Sequence, residues 1–240
     1  MSAVTPAPAV SGDIAPLVLF DLDGTLVDSA ADLYAAMRVV CTEAGVDAPA
    51  FAPFRAVVSK GARAMLAVAF PGDDAAAREA RVPGFLAHYA AGLAAHSRPF
   101  EGVEAVLAAI EAAGARWGIV TNKPYALAEP LVARLGWTAR CAVLVGGDTL
   151  PVKKPDPAPL RHACAACGVD AARAVYVGDD LRDVEAARAA GMRAVAALWG
   201  YREDGDDPAA WGADALLARP LDLAAPGALA AFAAAEAPHA

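Results

Sequence analysis

The sequence holds only four cysteines in 240 residues, Cys41, Cys141, Cys164 and Cys167. They are too few and too scattered for a disulfide framework. Cys164 and Cys167 form a Cys-x-x-Cys with His162 two residues upstream, but no second ligand pair accompanies them and the segment has helical spacing. Two core cysteines one turn apart are therefore expected, rather than a zinc or redox site. Basic residues are also scarce: 20 Lys and Arg stand against 28 Asp and Glu, a formal net charge of -8. That excludes a nucleic-acid surface as the main business, because phosphate backbones are bound with surplus cations. A small phosphate ligand stays open, since it needs only a local patch or a metal. No apolar run reaches the ~18 residues of a membrane span. The first 13 residues contain no Lys or Arg and no long apolar stretch, unlike a signal peptide. The expectation is a soluble, cytoplasmic protein with reduced thiols, no nucleic-acid or membrane partner, and a loose Pro/Ala-rich leader over residues 1–14.

What the chain has in quantity is apolar surface, 58% of residues, with only 20% charged. That suffices for a sizeable core and argues against disorder. Alanine inflates the apolar share, and its runs ("AAAREA", "ALAAFAAAEA") read as helix formers. Short apolar runs, each followed by a polar or glycine-rich turn, recur at "PLVLFDLDG", "RWGIVTNKP", "CAVLVGGD", "AVYVGDD" and "RAVAALWG". Helical stretches such as "EGVEAVLAAIEAAGA" and "DVEAARAAGM" lie between them. This alternation predicts an α/β fold, a parallel sheet flanked by helices. One gap breaks the rhythm: roughly one hundred residues separate "DLDGT" from "IVTNK", where a βα unit needs about thirty. Residues 30–97 are helical in pattern and predict an inserted helical cap. The core is then expected over 15–29 and 98–240.

In an open parallel sheet, ligands bind at the carboxyl ends of the strands. Here those ends carry Asp21 and Asp23, Thr121 and Asn122, and Asp179, Asp180 and Asp183, while the loop "VKKPDP" adds Lys153 and Lys154. Carboxylates brought that close cannot all ionise without compensation. A hard divalent cation supplies it, and Mg²⁺ in particular binds one or two carboxylates, waters and a substrate phosphate. The residue set fits phosphoryl transfer, with an aspartate nucleophile and with metal and Lys neutralising the phosphoryl oxygens.

The strings "DLDGTLVDS", "VTNKP", "KKPDPAPL" and "VGDDLRDVEAARAAG" resemble, in order, the four motifs of the haloacid-dehalogenase superfamily. The resemblance runs over about residues 15–218, with the long insertion where one subfamily carries a helical cap. It implies a Rossmann-like core and a Mg²⁺-dependent phosphatase acting on a small phosphorylated metabolite, as a monomer or homodimer. By the same resemblance Asp21 attacks phosphorus. Asp23 serves as acid and base, and its carbonyl binds the metal. Thr121 and the Asn122 amide hold phosphoryl oxygens, Lys154 neutralises them, Asp179 completes the metal ligands, and Asp183 orients metal-bound water. Asp180 stands where relatives often have Ser. Within the superfamily, "VTNKP", "GGD" and "KKPDPAPL" are most similar to phosphoglycolate phosphatases. The strings "VVSKGARAM", "SRPFEG" and "DPAAWGADALL" are similar to N-acetylmuramate 6-phosphate phosphatases.

Other residues receive plainer readings. Asp28 and Ser29 are expected to cap the helix that follows. Lys153 reads as a solvated neighbour of Lys154, and Gly24 and Thr25 as turn residues whose amides could face a phosphate. Lys60 and Arg63 are the cap candidates for a second anionic group on the substrate, with Ser59 and Gly61 shaping their loop. His88, His96 and His162 read as surface or capping residues. Four alternatives remain: a hexose-phosphate mutase, a dehalogenase, a receiver domain and a non-catalytic phosphometabolite-binding protein. A dehalogenase has no need of Asp23, and a receiver is about half this length with no large insertion.

Overall fold

A computed structural model describes residues 16–225 and residue 228; the expected leader over 1–14 lies outside the described residues. In chain order the strands are β1 (Leu17–Phe20), β2 (Val27–Asp28), β3 (Arg98–Pro99), β4 (Arg116–Val120), β5 (Leu144–Val145), β6 (Ala174–Gly178), β7 (Arg193–Ala197) and β8 (Ala215–Leu217). The helices are α1 (Ala30–Glu43), α2 (Phe51–Ala56), α3 (Ala62–Ala69), α4 (Ala75–Ala91), α5 (Val103–Ala112), α6 (Tyr125–Arg134), α7 (Ala158–Ala166) and α8 (Leu181–Ala190).

Six strands form one parallel sheet in the order β5-β4-β1-β6-β7-β8. The chain winds outward from β1 to one edge, then returns to lay β6 against β1 and winds to the other edge. The switch point therefore falls between β1 and β6, where ligands of doubly wound sheets bind. All five apolar runs expected as strands lie in this sheet. The sixth, β8, is a three-residue edge strand with only Leu216 exposed, too short to leave an alternating signature.

Alternation along β1 sends Val18 and Phe20 to one face and Leu17 and Leu19 to the other, all essentially buried. The first pair joins Trp117, Ile119, Val175 and Val177 in a core that continues into α1, α3 and α4. The second packs with Leu160, Ala163, Val184 and Ala187 beneath α7 and α8. Burying each large side chain contributes roughly 1.5–3 kcal/mol, so β1, covered on both faces, anchors the sheet.

Helices α1–α4 all lie between β2 and β3, which pair antiparallel through Val27 with Pro99 and Asp28 with Arg98. Asp32, buried in α1, accepts from the His96 and Ser97 backbones at 2.8 and 2.9 Å and from Ser97 Oγ at 2.6 Å. Both ends of the helical segment are thereby held together. The capping expected of Asp28 and Ser29 is corrected for Ser29, while Asp28 Oδ1 accepts from the Ala30 N–H at 3.4 Å. Ser29 makes no side-chain cap, and the amides of Ser29 and Ala30 at the start of α1 instead donate to the Tyr201 hydroxyl at 2.8 and 3.1 Å. That hydroxyl donates in turn to Asp28 Oδ1 at 2.7 Å, and Asp28 also pairs with Arg55. A distant tyrosine supplies the oxygen that local sequence rules assign to Ser29.

Candidate active site

The site grows from the ends of β1, β4 and β6. Asp21 N–H donates to Val177 O at 2.9 Å and Thr121 N–H to Val145 O at 2.9 Å, so both residues leave the sheet in register. Asp179 and Asp180 follow β6 directly, and Asp180 and Asp183 form the capping box that starts α8. Asp180 Oδ1 accepts from Arg182 N–H, and Asp183 Oδ2 accepts from Asp180 N–H at 3.0 Å. This box turns Asp183 back toward the sheet. Asp180, whose role the sequence leaves open, is this helix cap, paired also with Arg182 and with Lys60 at 3.1 Å.

Carboxylate oxygens of Asp21, Asp179 and Asp183 all lie within 4.8 Å of one another, and all three residues are buried. One ammonium faces them. Lys154 Nζ donates to Asp183 Oδ1 at 2.7 Å and to the Tyr176 hydroxyl at 2.6 Å, and lies 3.0 Å from Asp21 Oδ1. Burial alone would push this ammonium down, but the Asp183 and Asp21 carboxylates outweigh it and hold its pKa above the ordinary lysine value. Burial, followed by the charges of Asp21 and Asp183, raises Asp179 well above the usual carboxylate range, against donors from Ser59 and Tyr201. Burial also raises Asp183, to about 6, despite the opposing Lys154. Three carboxylates thus gather around one ammonium, which contacts only Asp21 and Asp183, and ionising all of them leaves two negative charges uncompensated.

The arrangement fits a divalent cation. Asp21 Oδ1 is buried and, apart from the ion pair with Lys154, receives no well-aligned hydrogen bond. The donor set consists of hard oxygens, as Mg²⁺ requires. Asp179 is held in a single orientation by three donors. Thr25 Oγ1 donates to its Oδ1 at 2.9 Å, and Ser59 Oγ and Tyr201 N–H donate to its Oδ2 at 2.7 and 2.9 Å. Gly24 is required beside it, because it has φ +87° and a Cβ there would lie 2.2 Å from Asp179 Oδ2. Among the described residues this is the only group of three metal-capable side chains; Cys164 and Cys167 are buried free thiols.

Two expected residues stand differently. The Asp23 side chain does not join the carboxylate group; Lys123 Nζ binds it at 3.1 and 3.0 Å and Ser29 Oγ at 2.5 Å. The Asn122 carboxamide is spent on Lys154, donating to its carbonyl at 2.9 Å and accepting from its N–H at 3.0 Å. It fixes the lysine loop.

A cavity of about 340 Å³ opens over Asp21, Asp23, Thr121 and Asn122, with Lys60, Arg63 and Lys153 also on its wall. Lys60 is tied to Asp180 and Asp206, and Arg63 makes a two-pronged bond with Glu79 at 2.6 and 2.7 Å. Lys153 is exposed, as expected, yet reaches the cavity.

The profile of the haloacid dehalogenase-like hydrolases matches residues 18–197. The chain belongs to this family. Among haloacid dehalogenase-like hydrolases, the phosphoglycolate phosphatase of Xanthomonas campestris pv. campestris (strain 8004) is 56% identical over 211 residues, covering 88% of this chain and 96% of the relative. The N-acetylmuramic acid 6-phosphate phosphatase of Pseudomonas aeruginosa is 45% identical over 207 residues, covering 86% and 92%. A crystal structure described as a predicted phosphoglycolate phosphatase from Haemophilus somnus superposes with TM-score 0.78 at 26% identity, over 87% of this chain and 96% of that one.

Sequence reasoning assigns nothing to several residues of this haloacid dehalogenase-like site. Lys123 lies inside "VTNKP", two residues from Thr121, but its partners come from distant segments. Tyr176, in β6, donates to Val120 O at 2.6 Å and buttresses Lys154, and Tyr201 follows β7 in a loop. Nothing local marks either tyrosine.

Proposed function

We propose that this phosphomonoester hydrolase is Mg²⁺-dependent, works through an aspartyl-phosphate on Asp21, and takes 2-phosphoglycolate as substrate. The observation that carries the reading is the buried carboxylate group of Asp21, Asp179 and Asp183, three acids against the single Lys154 ammonium, with Asp21 on the cavity wall. Asp21, the Asp23 carbonyl and Asp179 would hold the ion, with Asp183 beside them. When bound, it supplies positive charge against the carboxylates and the phosphoryl oxygens.

Asp21 then forms a bond to phosphorus as the ester P–O bond breaks. Asp23 gives its proton to the leaving alkoxide. Water next attacks phosphorus, passing a proton to Asp23, and Asp21 is released as the free carboxylate. Thr121, the Asn122 main chain and Lys154 hold the phosphoryl oxygens in both steps. The helices over residues 30–97 act as the cap, presenting Lys60 and Arg63 to the substrate's far end. High identity to a phosphoglycolate phosphatase over most of both chains supports the substrate.

A second reading, N-acetylmuramate 6-phosphate, is favoured by the cavity wall. Leu33, Val58, Met65, Val82 and Leu86 line it, an apolar surface that a two-carbon acid does not use but acetyl and lactyl methyl groups would. Phosphate release from both compounds tests the assignment. Turnover of 2-phosphoglycolate with Mg²⁺, abolished by chelation, is expected. Selective turnover of the sugar phosphate moves the assignment to the second reading, and release from neither refutes both.

A further inference from the structure

Lys123 is buried at the end of β4, with only 5% of its side chain exposed, in a position no phosphoryl-transfer step above uses. Its ammonium is fully engaged. It meets both Asp23 oxygens at 3.1 and 3.0 Å and donates to the Tyr89 hydroxyl at 2.8 Å, with the Tyr89 ring centroid 4.3 Å away. Tyr89 is itself buried in α4, within the helical segment that spans β2 to β3, whereas Asp23 and Lys123 stand on loops of the sheet. Ser29 Oγ, just ahead of α1, also donates to Asp23 Oδ1. The Asp23 carboxylate is therefore held by Lys123 and Ser29, and Tyr89 of α4 adds a contact to the ammonium that holds it.

We propose that Lys123 and Tyr89 are positioning residues that set the orientation of Asp23 for proton delivery to the leaving group and tie that orientation to the seating of α4. The inference rests on the reading of Asp23 as the acid. A carboxylate on a short side chain has several rotamers, and only one points its oxygen at the departing alkoxide. A bidentate ammonium removes that freedom for the ionised carboxylate, and when Asp23 takes up the proton it delivers, one oxygen gives up its Lys123 contact while the other keeps it. Tyr89 in turn fixes the ammonium, so a displaced α4 would loosen Lys123 and, through it, Asp23.

Leaving-group dependence distinguishes this role from general support of the fold. An alkyl phosphate needs its leaving oxygen protonated; p-nitrophenyl phosphate does not. The ratio kcat/KM covers only the steps through alcohol release, so the later hydrolysis does not blur the comparison. Lys123→Met, close in volume, is expected to lose about 10²-fold or more in kcat/KM on the alkyl substrate that wild type turns over, and under about 10-fold on p-nitrophenyl phosphate. Tyr89→Phe should show the same pattern more weakly, with an unchanged melting temperature. Asp23→Ala is the reference: if it lacks the selective loss, the acid assignment fails and takes this inference with it. If Asp23→Ala shows the selective loss but Lys123→Met loses both substrates equally, keeps both, or raises only KM, the positioning role alone is overturned. Should Lys123→Met not fold, Tyr89→Phe decides on the same criterion.

Discussion

Asp21→Asn is expected to fold normally and to lose turnover by about 10⁴-fold or more, the scale of removing a covalent nucleophile. The fold should tolerate it because Asp21 contributes little that an amide cannot. Its backbone continues the ladder from β1 through Val177, and its Oδ1 receives no well-aligned hydrogen bond. The variant also removes one of three crowded carboxylates, which relieves repulsion on Asp179 and Asp183. Circular dichroism and steady-state phosphate release, measured together, check both halves. Residual activity within about 10-fold of wild type would remove Asp21 from the chemistry.

The second large effect is expected at Asp179, with opposite signs for activity and stability. Burial and the neighbouring Asp21 and Asp183 charges raise its pKa in the folded state, so the folded protein holds a proton that the unfolded chain has released. In that window stability falls as pH rises, and at pH 7 an ionised Asp179 is a cost to the metal-free fold. Asp179→Asn removes the charge but keeps the shape. Its carbonyl oxygen can still accept from Ser59 Oγ and Tyr201 N–H, and Thr25 Oγ1 can rotate to accept from the new amide. Without added metal at pH 7 the variant should gain on the order of 1 kcal/mol for each pK unit relieved. Each kcal/mol corresponds to about 2–4 °C in Tm for a chain of this size. It should also lose activity by about 10³-fold and lose any Tm increase on adding Mg²⁺. A variant destabilised in the absence of metal would mean that Asp179 is structural.

How far the sequence reveals the site depends on where each partner sits. Asp21, Thr121 and Asp179 are legible because each follows an apolar run directly, and parallel strands bring such positions to one edge of the sheet. Lys154 is legible through its motif, although Tyr176, which steadies it, is hidden in a strand where alternation gives no sign that a hydroxyl is needed. The motif resemblance gives Asp183 only a supporting part. The capping box that starts α8 aims it at Lys154, bringing it within reach of Asp21 and Asp179. Ser29 reads as a helix cap because local rules cannot know that Tyr201, more than 170 residues away in sequence, supplies the capping oxygen. Lys123 and Tyr89 show the same limit, since their meeting depends on how α4 packs. The six-stranded sheet is readable from its apolar runs except at β8, whose three residues carry no period.

The covalent step on Asp21 is tested most directly by trapping. Acid quenching during turnover, borohydride reduction and mass spectrometry of the Leu17–Ser29 peptide convert an acyl phosphate into homoserine at the position that carried it. Homoserine at residue 21, dependent on substrate and absent from Asp21→Asn, is the predicted result. Homoserine at residue 23, or phosphate release with residue 21 never modified, would contradict it.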